Sequence, residues 1–126
     1  MAKITPMQRT LAWLREQNMK YDIVESYNAF SKRRKDLFGI IDVVALHNKR
    51  IIGIQVCGAD WSPHIKKIKA SPFALKWAEA GELWLVGWRE LKSGWKVQKH
   101  IFTRGDLQNM PSHPLNSLRN LDMTVL

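Results

Sequence analysis

The sequence predicts a single α/β domain, a sheet core flanked by helices, and three observations predict it. Hydrophobic patterning switches between helical spacing and short β-rich runs. Two of those runs, 37–46 and 50–57, are apolar on both faces, as strands covered on both sides are. With 126 residues, 45% hydrophobic and 25% charged, the chain is long enough for one core without disulfide or metal staples.

The elements follow in order. Thr5-Pro6 reads as N-cap and first position of a helix whose stripe is Met7, Leu11 and Leu14, with Trp13 beside it. Residues 21–27 are β-rich, and the polar stretch 28–35 reads as a loop carrying Lys32-Arg33-Arg34-Lys35. The runs 37–46 and 50–57 form a hairpin turning through His47-Asn48-Lys49-Arg50. Ser62-Pro63 and Ser71-Pro72 each place a capping hydroxyl before a proline and open helices over 64–70 and 73–80, the second ended by Gly81 as a C′ residue. A strand over 82–88, a turn at Lys92-Ser93-Gly94 and an edge strand over 95–102 come next. Thr103 to Asp106 begin a last helical turn. The order is α-β-β-β-α-α-β-β, with the domain over 1–110 and a polar tail over 111–126.

Charge narrows the function classes. Lys and Arg number 20 against 11 Asp and Glu, a net charge of +9. A small domain this basic attracts polyanions, because each neutralised phosphate releases condensed counterions. No apolar stretch approaches a membrane span and no basic amphipathic helix with a large apolar face occurs, so a membrane is not the expected partner. The one cysteine, Cys57, excludes a disulfide framework and a multi-cysteine zinc site. The expectation is a soluble, reduced, cytoplasmic protein of a bacterial or phage-infected cell.

The hairpin can be registered from its turn. With His47 and Arg50 flanking a two-residue tip, Leu46 faces Ile51, Val44 faces Gly53, Asp42 faces Gln55 and Ile40 faces Cys57 on one side of the sheet. Ile41, Val43, Ala45, Ile52, Ile54 and Val56 occupy the other. Asp42 is thus a carboxylate in a covered strand, which is costly unless it is paired or metal-bound. Two readings stand: a residue hydrogen-bonded to Gln55 or a nearby Lys to fix register, or a metal ligand or catalytic carboxylate.

These residues resemble the PD-(D/E)XK nuclease superfamily. The resemblance rests on Asp36-Leu37-Phe38-Gly39-Ile40-Ile41-Asp42-Val43-Val44, then Ile54-Gln55-Val56-Cys57, then His64-Ile65-Lys66-Lys67-Ile68, and covers roughly residues 7–95. The spacing and hairpin placement resemble archaeal-type Holliday junction resolvases and small phage or prophage nuclease-like proteins. The resemblance implies a restriction-endonuclease-like core with a mixed four- to five-stranded sheet, Mg²⁺ or Mn²⁺ as cofactor, DNA as the nucleic acid, and a symmetric homodimer. Gln55 stands where Asp or Glu is usual, and Cys57 where the family carries its Lys. The resemblance moves that Lys onto the following helix, to Lys67 or Lys66, with Lys67 preferred. It also implies the Val56 carbonyl as a further metal donor.

Phosphodiester hydrolysis wants an activated water and charge relief on phosphate. In that scheme Asp42 is the principal ligand, Gln55 a neutral one and Lys67 the ammonium. A further acid comes from Glu25, which interrupts an apolar-aromatic strand, or from Glu16, which points away from its helix stripe. Asp36 precedes Asp42 by six residues, about 20 Å along an extended strand at ~3.3 Å per residue. It therefore shares the metal only if Gly39 bends the strand strongly; otherwise it is an Arg partner or strand-start residue. Lys32, Arg33, Arg34, Lys35, Lys66 and Lys69 are the candidate phosphate contacts. Trp61 is a candidate for base stacking, and Trp77, Trp84 and Trp88 are packing residues. His47, His100 and His113 lack metal-ligand spacing, and His64, which starts a lysine-rich helix, reads as a surface residue. The alternative function is a non-catalytic nucleic-acid-binding protein derived from the nuclease fold; a helix-turn-helix regulator is more distant.

Overall fold

The computed structural model describes residues 3–108. The predicted tail over 111–126 lies outside the described residues. The elements are α1 (Pro6–Glu16), β1 (Lys20–Ile23), β2 (Ser26–Asn28), β3 (Arg33–Lys35), β4 (Val43–His47), β5 (Arg50–Cys57), α2 (Trp61–Ala70), α3 (Ala74–Ala80), β6 (Glu82–Leu91), β7 (Gly94–Ile101) and α4 (Arg104–Gln108). Five strands form one mixed sheet in the order β1-β4-β5-β6-β7, and β2-β3 is a separate hairpin. The β5–β6 pair is parallel and the other pairs are antiparallel. α1 covers one face; α2 and α3 cover the other.

Local chemistry accounts for several boundaries. Thr5 and Gln8 close a capping box: Gln8 N donates to Thr5 Oγ1 at 3.1 Å, and Thr5 N to Gln8 Oε1 at 2.8 Å. Leu14 is fully buried at the end of the predicted stripe, and Trp13 tilts against Trp84 with centroids 6.2 Å apart. The hairpin register is as read: Val43 pairs with Ile54, Val44 with Gly53, Leu46 with Ile51, His47 with Arg50. Asn48 and Lys49 both have positive φ, 51° and 63°, as a two-residue I′ turn requires. A box between Thr103 and Asp106 starts α4.

Other expectations need correction. Strand 21–27 is two strands, β1 and β2, and the expected loop 28–35 contains β3, so the order gains a small hairpin. Asn28 Oδ1 accepts from the backbone of Phe30 and Ser31 and closes that turn. α2 begins before Ser62-Pro63: its N-cap is Asp60, and Pro63 sits within the first turn. Gly81 ends α3 in an extended rather than left-handed conformation; it is glycine because a Cβ there would meet the Ile51 carbonyl oxygen at 2.4 Å.

The largest departure concerns 37–46, in which the strand starts only at Val43, the first residue of β4. Phe38 and Gly39 both adopt positive φ, 55° and 75°, and the chain turns back on itself. Leu37 and Ile41 form an antiparallel bridge, with hydrogen bonds of 2.8 and 3.0 Å. Ile41 therefore joins the core under α2 and α3, not the α1 face, and Ile40 does not pair with Cys57 across the hairpin. Leu46 and Ile51, at the hairpin tip, are half exposed.

Candidate functional site

The site lies on the α2–α3 face of the sheet, where β1, the 37–41 turn, β5 and α2 converge. Gln55 is held in β5 beside Leu85 of β6, and is 2% exposed. Asp42, 4% exposed, enters the sheet just before β4 because its N–H donates to the Ile54 carbonyl at 2.8 Å. The predicted juxtaposition of the two side chains is present: Gln55 Nε2 donates to Asp42 Oδ2 at 2.6 Å. Val56 N donates to the same oxygen at 2.8 Å.

Two further carboxylates arrive by separate routes. The Val24 and Glu25 N–H groups both donate to the Asp42 carbonyl, at 2.9 and 3.2 Å, which places Glu25 beside Asp42. Asp36 is brought back by the 37–41 turn: once Leu37 bridges Ile41, the flanking residues Asp36 and Asp42 become neighbours. Carboxylate oxygens of Glu25, Asp36 and Asp42 lie within 4.8 Å of one another. The distance argument against Asp36 fails because the chain is not extended between 36 and 42.

Cations border this cluster. Lys67 Nζ, from α2, donates to Asp36 Oδ2 at 3.0 Å, and Arg34 Nη1, from β3, to Glu25 Oε1 at 3.1 Å. Lys66 is exposed and Lys69 partly so on α2, and Lys32, Arg33 and Lys35 are exposed on the β2–β3 hairpin. Glu16 is exposed at the end of α1 and is not part of the cluster.

Burial and crowding set the protonation. Asp42 is pushed up to about 7, first by burial and then by the neighbouring Asp36 carboxylate, against the opposing hydrogen bonds from Val56 and Gln55. Asp36 moves down: burial works to raise it, but hydrogen bonding with Asp42 and with Lys67 outweighs burial. The pair thus divides its roles, Asp36 ionised and Asp42 exchanging a proton near neutrality. Gln55 Oε1 is buried and has no hydrogen-bond partner among the described residues.

A second cluster was not foreseen. Cys57, Asp60 and His64 bring a sulfur, a carboxylate oxygen and an imidazole nitrogen within 4.8 Å of one another. His64, read from the sequence as a surface residue of a lysine-rich helix, belongs instead to this group: Cys57 ends β5 and the other two lie four residues apart on one side of α2. Trp61 packs edge-on over Gly87, where a Cβ would meet its ring at 2.8 Å. It borders a solvent-open groove of about 690 Å³ shared with Asp60, Arg89, Lys96, Gln98 and His100. Trp84 and Trp88 are buried in the core, and Trp77 Nε1 donates to the Glu82 carbonyl at 2.7 Å. Among the described residues no helix is long and apolar enough to cross a membrane. Comparison with protein-family models, with curated proteins and with solved structures returned no match.

Proposed function

We propose that this chain is a nucleic-acid-binding phosphodiesterase of the PD-(D/E)XK kind, acting on DNA with Mg²⁺ or Mn²⁺. The observation that carries the reading is the convergence of Glu25, Asp36 and Asp42 oxygens within 4.8 Å, with Gln55 on Asp42 and Lys67 on Asp36. The donor set fits a hard divalent cation: carboxylate oxygens are its preferred ligands, and the unpartnered Oε1 of Gln55 is a neutral oxygen in the same network. Glu25, Asp36, Asp42 and Gln55 are the residues that would hold the ion. Its chemistry when bound is to lower the pKa of a water and relieve charge on the phosphate.

The chain's own residues have defined tasks in this reading. Lys67 supplies a positive charge beside the carboxylates, where charge develops on a phosphate. Asp42, raised to about 7, would have to lose its proton to hold the ion, so ion binding should strengthen as pH rises through about 7. Arg33, Arg34 and Lys35, carried on a hairpin whose Arg34 touches Glu25, grip the backbone next to the cluster. Lys66 and Lys69 extend the basic surface along α2.

A specific observation favours the binding-protein alternative. Asp42 Oδ2 already accepts two hydrogen bonds and Asp36 already has its ammonium, so the network is largely satisfied without an ion. The deciding experiment incubates the protein with linear, nicked, single-stranded and four-way-junction DNA in Mg²⁺ or Mn²⁺, with Asp42→Asn as control. Ion-dependent cleavage lost in Asp42→Asn, with affinity in Ca²⁺ retained, supports the enzyme. Tight binding with no cleavage of any form, indifferent to Asp42→Asn, leaves the binding protein.

A further inference from the structure

We infer that Cys57 and His64 hold a zinc-class metal ion at the β5–α2 junction, with Asp60 orienting the imidazole, at a site distinct from the carboxylate cluster. The three residues come from one short stretch folded by a tight connection. Cys57 is the last residue of β5 and Asp60 caps α2, with Gly58 N donating to Asp60 Oδ1 at 3.2 Å. His64 follows one helical turn later, on the same side of α2. The cysteine sulfur, a carboxylate oxygen and a ring nitrogen lie within 4.8 Å of one another.

The histidine supplies the independent observation. Its Nε2 lies 3.1 Å from Asp60 Oδ2. A carboxylate there accepts a hydrogen bond, so Nε2 carries the proton and Nδ1 presents a lone pair. That Nδ1 is buried and has no hydrogen-bond partner among the described residues. Native structures rarely leave a buried acceptor so, and a bound cation is one way to satisfy it. An imidazole oriented by a carboxylate on its other nitrogen is the usual arrangement of a metal-ligating histidine.

The donor set selects the ion. Thiolate and imidazole favour a borderline-soft cation such as Zn²⁺ over Mg²⁺ or Ca²⁺. Two protein donors, Cys57 Sγ and His64 Nδ1, leave the other tetrahedral positions to water, while Asp60, whose side chain is 63% exposed at the edge of the solvent-open groove, orients the ring through Nε2. Without an ion, burial and then the charges of Asp60 and Asp42 push the Cys57 thiol up to about 12. Coordination reverses this: the S–H bond breaks, its proton goes to solvent, and the sulfur binds as thiolate.

The test strips the full chain with a chelator and titrates it with Zn²⁺ or Co²⁺ alone. The expected result is one ion per chain at this site, not displaced by excess Mg²⁺, with a thiolate-to-cobalt charge-transfer band and tetrahedral visible bands in the Co²⁺ form. Cys57→Ser, or Cys57→Ala should Ser perturb folding by circular dichroism, removes the charge-transfer band. His64→Ala weakens zinc binding at least about tenfold. Asp42→Asn, which disables the carboxylate cluster, keeps both the band and the affinity. A Co²⁺ form without the band overturns the proposal, as does zinc affinity unchanged in the Cys57 and His64 variants. Zinc lost in Asp42→Asn but kept in Cys57→Ser assigns the ion to the carboxylates and also overturns it.

Discussion

Lys67 Nζ donates to Asp36 Oδ2 at 3.0 Å, tying helix α2 to a carboxylate that the 37–41 turn has folded back against Asp42. This contact decides which of the helix lysines serves the site. Asp42 and Gln55 anchor the cluster to the sheet, whereas Lys67 and Asp36 link it to the helix layer. Replacing Lys67 with Met leaves Asp36 without its ammonium. Because Lys67 is about half exposed, the stability loss is about 1 kcal/mol or less. On the proposed phosphodiesterase reading, the cleavage rate falls far more than DNA affinity, since one cation among many adds little to binding. Single-turnover rates and affinities measured side by side check this; equal losses in both would make Lys67 a simple phosphate contact.

Asp42 makes stability depend on pH with a defined sign. Its carboxyl is raised in the fold from 3.8 to about 7, so the protonated form is the one the fold prefers. The stabilisation is fully present below pH 3.8 and is lost as pH rises through about 7. Asp36, lowered in the fold, acts in the opposite sense and loses its contribution as pH falls below the ordinary carboxylate range. Denaturant unfolding across this window should show wild-type stability declining toward neutrality, and Asp42→Asn should flatten the decline. An unchanged slope in the variant would assign the pH dependence to other groups.

If the chain binds DNA as proposed, the β2–β3 hairpin should carry a large share of the salt dependence. Changing Lys32, Arg33 and Lys35 to Ala spares Arg34 and its contact with Glu25. If all three sit on phosphates, the log K versus log salt slope flattens by about 3 for duplex DNA, at ~0.9 per phosphate contact. A slope within error of wild type would remove the hairpin from the binding face.

Thr10 holds α1 to the sheet by a buried polar contact. Trp88 Nε1 donates to Thr10 Oγ1 at 2.9 Å, and that hydroxyl donates to the Pro6 carbonyl at 2.8 Å. Thr10→Val keeps the shape but strands the indole N–H, at a cost of about 1–3 kcal/mol. Chemical denaturation measures it, and Thr10→Ser, which keeps the acceptor, should recover most of the loss.

Gly53 sits under Trp77, where a Cβ would meet the indole at 2.6 Å and Ile41 Cδ1 at 2.8 Å. Gly53→Ala therefore overpacks the α2–α3 face and destabilises by about 1–3 kcal/mol. A neutral effect would show that Trp77 can shift without cost.

Some features were legible in the sequence because neighbours along the chain create them. The Thr5-Pro6 start of α1, the Asn48-Lys49 turn and the register that sets Asp42 beside Gln55 follow from capping chemistry, turn geometry and the two-residue period of a strand. The basic charge is likewise a property of composition. Tertiary structure alone decided the rest. β-propensity across 37–46 hid the turn, since nothing in the apolar run Ile40-Ile41 marks a reversal, and Phe38, which stacks near Phe73 and Trp77, takes a positive φ unusual for an aromatic residue. That reversal, and the anchoring of Glu25 through the Asp42 carbonyl, gathered three carboxylates that a linear reading holds apart. Cys57 met the Asp60–His64 pair for a similar reason: the turn from β5 into α2 is fixed by the docking of Trp61 and Ile68 on the sheet face, and a strand residue that shares no period with a helix pair becomes its neighbour only once two packed elements fix the direction of each.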